Sequence, residues 1–245
     1  MPESLLCLPP LPNLHEVSDL YLYDTHVHSS ECSACAHSTA KEMVQAYKAA
    51  GFSGFAFTNH FYHGYSAIDR KNEWVDFVRP YYDAYLSAVE EAQRIDFDVF
   101  FGIEENIGRG KELLVYNIDF DTLANLPELR HADHHTFVDT IHAAGGFIVH
   151  AHPFRFRDYM GEYFEPDFYG CDGVEVFNFA NTDDENERAA KAAVELGLVP
   201  TAGMDNHHMG LVPDSGMIFT KRARTAKQFV AALCSPDTKL LRRGK

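Results

Sequence analysis

The sequence predicts an α/β fold built around a parallel sheet. Short apolar runs rich in β-branched and aromatic residues alternate with helical stretches along the chain, which is typical of parallel strands joined by helices. The chain has 245 residues, the size of one large α/β domain, so we expect a single domain over residues 1–245. Its hydrophobic content of 46% is enough for a substantial core.

Eight apolar runs are predicted as strands, each bounded by turn residues or by a helix signal. They are Leu20–Tyr23, Gly54–Phe57, Val99–Ile103, Leu113–Ile118, Phe147–Val149, Gly173–Phe177, Val199–Ala202 and Met217–Thr220.

Helix starts and ends fall between these runs. Thr39 and Glu42 form a capping box ahead of "MVQAYKAAG", and Gly51 ends that helix. Residues 72–94 form one long helix, or two helices interrupted near Pro80. The remaining helix signals are Gly145, Gly197, Thr225 and Gln228.

Charge and cysteine usage narrow the class of protein. A formal net charge of −15 disfavours a nucleic acid polymer or an anionic membrane as partner, but bound metal ions would still allow a small anionic substrate. No apolar run approaches the length of a membrane span, and residues 1–14 lack the pattern of a signal peptide. The odd count of five cysteines favours reduced thiols, so we expect a cytoplasmic protein.

Residue types that commonly bind metals follow the predicted strands. His26 and His28 lie two apart, so in a strand both imidazoles face one side. Five further strands are followed by similar side chains, and the carboxyl ends of the strands of a parallel barrel lie on one face. We therefore expect a metal site at that face. The further residues at strand ends are Asn59, His60, Glu104, Glu105, Asn106, His150, His152, Glu175, Asn178, Asp205, Asn206, His207 and His208.

Six motifs at these strand ends occur in one order: "DTHVHSS", "FTNH", "GIEEN", "VHAHPFR", "GVEVFN" and "GMDNHH". With this set the chain resembles the PHP family, the polymerase and histidinol phosphatase domain, from about Leu20 to Phe219. The resemblance implies a distorted seven-stranded (β/α) TIM-like barrel. It also implies two or three divalent metal ions (Zn, Mn or Fe) and hydrolysis of phosphate esters.

The resemblance also implies a ligand set. The first metal would be held by His26, His28, Glu104 and Asp205. Glu104 would bridge to a second metal that also uses His152, and a third metal would use His60 and His207. Alternation along the strand places Glu105 on the opposite face from Glu104, so only one of the two should bind in this way.

Two positions depart from the family pattern. Glu112, in "ELLVY", stands where relatives often have a histidine, and a carboxylate there would give the second metal a harder ligand. Relatives also place an Asp or His about six residues after the second histidine of H-x-H. Here "CSACAH" offers Cys35 or His37, and Cys35 aligns better. A Cys35 thiolate would favour zinc over manganese.

The leading functional hypothesis is hydrolysis of a small phosphomonoester by a metal-activated water. Asp205 would complete the first metal shell and accept the proton of the nucleophile, and His207 or a metal-bound water would protonate the leaving group. Arg155 would clamp the phosphate, the alternative being a surface salt bridge. A phosphodiesterase or nucleotide hydrolase with the same site, and a non-catalytic metal-binding accessory module, remain alternatives. The sequence selects neither a particular substrate nor an oligomeric state.

A second group of histidines lies on or before the helix that ends at Gly145. His131 and His135 are four residues apart, a spacing that suits a metal. No carboxylate motif accompanies them, so a solvated helix face is expected instead.

Overall fold

The computed structural model describes residues 20–211 and 213–242. Residues 1–14, which were expected not to form a signal peptide, lie outside the described residues. The helices of the described part are α1 (Ala40–Ala49), α2 (Trp74–Arg94), α3 (Phe120–Ala124), α4 (His134–Ala143), α5 (Asp183–Leu196) and α6 (Ala226–Leu233). The strands are β1 (Tyr21–Val27), β2 (Gly54–Phe57), β3 (Asn59–His60), β4 (Asp98–Phe100), β5 (Gly102–Gly108), β6 (Lys111–Tyr116), β7 (Phe147–Ala151), β8 (Gly173–Asn178), β9 (Val199–Gly203), β10 (Ser215–Phe219) and β11 (Lys239–Arg242). None of the helices in this part is long and apolar enough to cross a bilayer.

Hydrogen bonds divide the strands between two sheets, with the orders β11-β10-β1-β2-β4 and β3-β5-β6-β7-β8-β9. The fold is therefore mixed α/β, as predicted, but the ladders of the described residues do not close into a seven-stranded barrel. The expectation of an all-parallel sheet is wrong for four pairs. β6 is antiparallel to both β5 and β7, and β10 is antiparallel to both β1 and β11.

The direction of β6 follows from the short connection that precedes it. β5 ends at Gly108 and β6 begins at Lys111, so only Arg109 and Gly110 link the two strands. Both linking residues have left-handed backbone, with φ of 56° and 69°, which suits a tight hairpin. A parallel pair would need a crossover of a dozen or more residues.

The two sheets meet where the metal-type ligands lie. β2 passes through Thr58 into β3, and β4 passes through Phe101 into β5, so neighbouring strands change sheet together. Val27 at the end of β1 forms a parallel bridge with Asn206, just beyond β9. The carboxyl ends of strands from both sheets therefore surround one region.

Helix signals in the sequence are largely confirmed. The capping box of Thr39 and Glu42 is present, and Gly197 caps α5 with left-handed backbone at φ 68°. α2 is a single helix that includes Pro80. Its Tyr81 donates a hydrogen bond of 2.7 Å to the carbonyl oxygen of His60, which ties α2 to β3 at the candidate site.

Candidate metal centre

Glu104 lies at the centre of a buried cluster of imidazoles. Its Oε1 is 3.2 Å from Nε2 of His26 and 3.3 Å from Nε2 of His152. Its Oε2 is 2.7 Å from Nδ1 of His60 and 3.5 Å from Nε2 of His28. One carboxylate that faces four imidazoles has the placement required of a bridging ligand.

Asp205 closes the cluster from the other side. Its Oδ1 is 3.4 Å from Nε2 of His26 and 3.3 Å from Nε2 of His28. Asp205 follows β9 and has left-handed backbone at φ 56°, and His152 follows β7 with φ 26°. Such backbone is uncommon outside glycine and is concentrated at functional sites.

The donor atoms of this cluster are arranged to bind a metal rather than to form hydrogen bonds with one another. The atoms Nε2 of His26, Nε2 of His28, Nδ1 of His60 and both oxygens of Glu104 are buried and have no hydrogen-bond partner. Buried polar atoms normally have a hydrogen-bond partner, so five atoms in one cluster that lack such a partner need an explanation. Imidazole nitrogen and carboxylate oxygen are ligands that zinc, manganese and iron accept.

Outer contacts fix the rings so that these nitrogens point inward. Nδ1 of His26 lies 3.1 Å from Oε1 of Glu175, and Nδ1 of His28 lies 3.0 Å from Oγ of Ser33. Oε2 of Glu175 accepts hydrogen bonds from the amide of His152 and from Nδ2 of Asn178. Contacts of this kind set the tautomer of metal-binding histidines. Glu175 is among the strand-end residues that the sequence singles out, and an acid within the apolar run "GVEVF" was a usable signal for this specific role.

The pKa shifts in the cluster favour ionised Glu104 and neutral His28, but protonated Glu112. Burial opposes the ionisation of Glu104, but His26 and His60 outweigh it and hold the pKa of Glu104 well below its usual range. Burial, helped by the charge of Glu104, raises the pKa of Glu112. Burial and the charges of His207 and His60 lower the pKa of His28 well below its usual range. Neutral imidazole and ionised carboxylate are the forms that bind metals.

Glu112, the first departure from the family pattern, reaches the cluster because β6 runs antiparallel. It lies opposite Asn106 near the start of β6, at the same end as the carboxyl termini of the parallel strands. Its Oε1 is 3.9 Å from Nδ1 of His60, and its Oε2 is 3.6 Å from Nε2 of His152. Donor atoms of His60, Glu104 and Glu112 lie within 4.8 Å of one another.

At the second departure, Cys35 lines the cavity and His37 does not. Donor atoms of His28, His60 and His207 lie within 4.8 Å of one another, and Cys35 lines the same cavity as His60 and His207. Burial opposes ionisation of the thiol, but hydrogen bonds to His207 and His60 outweigh it and lower the pKa of Cys35 to about 7. His37 is exposed, and its ring instead faces that of His208.

Arg155 is held by three side chains at the edge of the cluster. Nη1 donates to Oδ2 of Asp205 at 2.6 Å, Nη2 donates to Oδ1 of Asn178 at 2.7 Å, and Nε donates to Oδ1 of Asn181 at 2.9 Å. The ion pair with Asp205 is partly buried, with 13% and 10% of the two side chains exposed, so it is not the surface salt bridge of the alternative interpretation. A cavity of about 370 Å³ opens beside it, lined by Cys35, His60, Tyr65, Asn106, Gly110, Glu112, His152, Arg155, Met160, Asp205 and His207.

The residues that alternate with the ligands point away from the cluster. Glu105 accepts hydrogen bonds from the amides of Tyr62 and His63 on the other side of β5. His150 is buried, with Nδ1 3.1 Å from the carbonyl oxygen of Ala151. The two-residue period of the strands thus separates Glu104 from Glu105 and His152 from His150, as predicted.

Solved structures with the same fold are only distantly similar in sequence. One is a two-domain protein from Bacteroides vulgatus that contains a predicted PHP-like metal-dependent phosphoesterase, with a TM-score of 0.69 and 13% identity over 91% of this chain. Another is an amidohydrolase from Chromobacterium violaceum with bound sulfate and no metal, with a TM-score of 0.56 and 16% identity. The first alignment covers 65% of the Bacteroides protein. The second covers 91% of this chain and 98% of the Chromobacterium protein.

Similarity to curated and family sequences is more specific. A 5′-3′ exoribonuclease of Haemophilus influenzae is 37% identical over 81 residues, which are 31% of this chain and 29% of that protein. The match therefore spans less than a third of the exoribonuclease. The PHP domain matches residues 24–196, which include His26, Glu104 and His152. With these residues gathered at one buried site, the chain belongs to the PHP domain family.

Proposed function

We propose that the chain hydrolyses a small phosphomonoester with water as the nucleophile, at a centre of two or three divalent ions (Zn, Mn or Fe). The observation that carries this proposal is the convergence of buried, unpaired imidazole and carboxylate atoms on Glu104. Ions held there supply Lewis-acid charge and lower the pKa of a bound water toward neutrality. Their ligands would be His26, His28, Cys35, His60, Glu104, Glu112, His152, Asp205 and His207.

Arg155 has donors to spare for a phosphate. A guanidinium carries five N–H groups, and three of those on Arg155 donate to Asp205, Asn178 and Asn181. Two remain for a phosphoryl oxygen in the cavity, where charge develops during hydrolysis. Arg155 would thus both hold Asp205 in place and bind the phosphate.

His207 has two candidate roles that exclude each other. Burial lowers its pKa, but the hydrogen bond to Cys35 and the charge of Asp205 outweigh burial and raise it, which suits a proton donor to the leaving alkoxide. As a ligand of a third ion, His207 would instead need a free lone pair on the nitrogen that carries the proton in the first role. The number of ions bound therefore decides which role His207 plays.

A second candidate function is hydrolysis of a nucleotide or of a short RNA. It is favoured by the similarity to the exoribonuclease and by Tyr65, whose ring is 64% exposed at the cavity mouth, where a base could stack. The net charge of −15 argues against a long polymer. A 3′,5′-bisphosphorylated nucleotide or a short oligonucleotide would meet both conditions.

A substrate panel separates these candidates from a non-catalytic module. The purified chain is assayed with Mn²⁺ or Zn²⁺ on an aryl phosphate, small phosphomonoesters, a 3′,5′-bisphosphorylated nucleotide and a 5′-phosphorylated oligoribonucleotide. Release of inorganic phosphate from the aryl phosphate or the small phosphomonoesters supports the first proposal. Release of inorganic phosphate from the bisphosphorylated nucleotide alone, or of mononucleotides from the oligonucleotide, supports the second. We expect Glu104→Gln to abolish turnover and Glu105→Gln, its neighbour on the opposite face, to retain it. If the chain binds metal but turns over none of these substrates, both enzymatic proposals are contradicted.

A further inference from the structure

Three ligand-type side chains meet on the outer surface of the protein, in a cleft separate from the cavity. His134 and His135 begin α4, and Asp167 lies in the loop between β7 and β8. Oδ2 of Asp167 is 3.0 Å from Nε2 of His135 and 3.5 Å from Nδ1 of His134. Donor atoms of all three lie within 4.8 Å of one another, so two imidazoles and a carboxylate share one position.

Neighbouring contacts hold two of these side chains in place. The ring of His135 stacks on that of Tyr169 with centroids 3.9 Å apart, and Oη of Tyr169 donates to Asp139. The amide of Tyr169 donates to Oδ1 of Asp167, which leaves Oδ2 directed toward the imidazoles. An arrangement that is ordered before an ion binds loses less entropy when it does.

The local charge also has to admit a cation. Arg109 and Lys111 line the same cleft, and the N-terminus of α4 carries positive dipole charge. Both basic side chains are engaged elsewhere, since Nζ of Lys111 donates to the carbonyl oxygen of Pro153 and the guanidinium of Arg109 lies over the ring of Phe164. The carboxylates that offset this charge within the cleft are Asp133, Glu165 and Asp167.

We propose that His134, His135 and Asp167 bind one borderline divalent ion, of the Zn²⁺, Ni²⁺ or Cu²⁺ type, independently of the centre around Glu104. Two imidazoles and one carboxylate leave the remaining coordination positions to water. The ion would join α4 to the loop between β7 and β8. That loop carries Arg155 and Met160 of the cavity wall, so the bound ion would restrain it.

The chain supplies a matched control for this site. His142 is on the same helix and forms a similar pair, with Nε2 3.0 Å from Oδ2 of Asp172, but among the described residues it belongs to no group of three donor atoms. The side chains of His135 and Asp167 are 56% and 58% exposed, so His135→Ala and Asp167→Asn remove little packing. Thermal unfolding of each variant in chelator checks that the fold is intact.

The test is a count of bound zinc after equilibrium dialysis of the full chain against micromolar Zn²⁺. We expect His135→Ala and Asp167→Asn each to bind one equivalent less than the wild type, and His142→Ala to bind as much as the wild type. We also expect Zn²⁺ to slow hydrogen exchange over residues 163–170 in the wild type but not in His135→Ala. Equal counts in all four proteins, or an equal loss in His142→Ala, would overturn the proposal.

Discussion

Arg155 and Asp205 form a partly buried ion pair, with Nη1 of the guanidinium 2.6 Å from Oδ2 of the carboxylate. Asn178 accepts a second hydrogen bond from Arg155 and donates one to Glu175, which in turn contacts Nδ1 of His26. The chain of contacts returns to Asp205 through Nε2 of His26 at 3.4 Å. A substitution at position 155 therefore removes one contact of the candidate ligand Asp205 as well as a donor for a bound phosphate.

Substitution of Arg155 by alanine should impair catalysis and phosphate binding. We expect kcat/KM to fall by roughly 10²-fold, the usual cost of removing a donor to developing charge, and inorganic phosphate to inhibit more weakly. Metal content should not change, because Asp205 keeps its other contacts. Arg157→Ala is the control, since Arg157 pairs with Glu185 instead. An unchanged inhibition constant for phosphate would count against a phosphate contact by Arg155. A loss of metal would indicate that Arg155 only positions the metal ligands.

Asp205→Asn should abolish turnover without unfolding the chain. The amide keeps the shape of the side chain but loses the charge that would bind the first ion and take up the proton of the nucleophile. Steady-state rates at saturating metal, together with Tm, test this directly. Asp184→Asn makes the same change at an exposed position of α5 and should leave the rate intact. A rate near that of the wild type in Asp205→Asn would refute the assignment.

The number of ions should be at least two per chain, with three favoured by the position of Cys35 beside His60 and His207. Elemental analysis of protein purified without chelator measures this number. If the thiolate is a ligand, Cys35→Ala should lose one equivalent, and zinc should be preferred over manganese at that position. Cys234→Ala removes an exposed thiol and serves as the control. An unaltered number of bound ions in Cys35→Ala would indicate that Cys35 has a packing role and is not a ligand.

Metal binding should strengthen as the pH rises. Burial lowers the pKa of His26 and of His60, but the carboxylates around them outweigh burial and place both values well above the usual range in the metal-free chain. An ion must displace these protons, so binding improves as the pH climbs through the raised values.

Stability without metal should change in the opposite direction. The contribution of a group with a raised folded pKa is complete below its unfolded value of about 6.5 and is lost as the pH rises through the folded value. We expect Tm in chelator to fall above about pH 6.5 for this reason, while the increase in Tm caused by Zn²⁺ grows. Calorimetry in a series of buffers measures both trends. A Zn²⁺-induced shift that is the same at every pH would contradict the assignment of His26 and His60 as ligands.

Local periodicity explains the part of the fold and the site that could be predicted. His26 and His28 face one side of β1, and Glu104 is separated from Glu105, because side chains alternate along a strand. The capping box at Thr39 is equally local. The direction of β6, by contrast, depends on two left-handed residues in a hairpin, and pattern alone did not reveal them.

The sequence by itself determined which kinds of candidate ligand this protein has and that they follow its strands. Only the tertiary structure decided which of them meet: Cys35 rather than His37 lines the cavity with His207, and Asp167 lies beside His135 across 32 positions of the chain. The reason is physical. Alternation within a strand is fixed by neighbouring residues, whereas loop conformation and contacts between distant segments are fixed by how the whole chain packs.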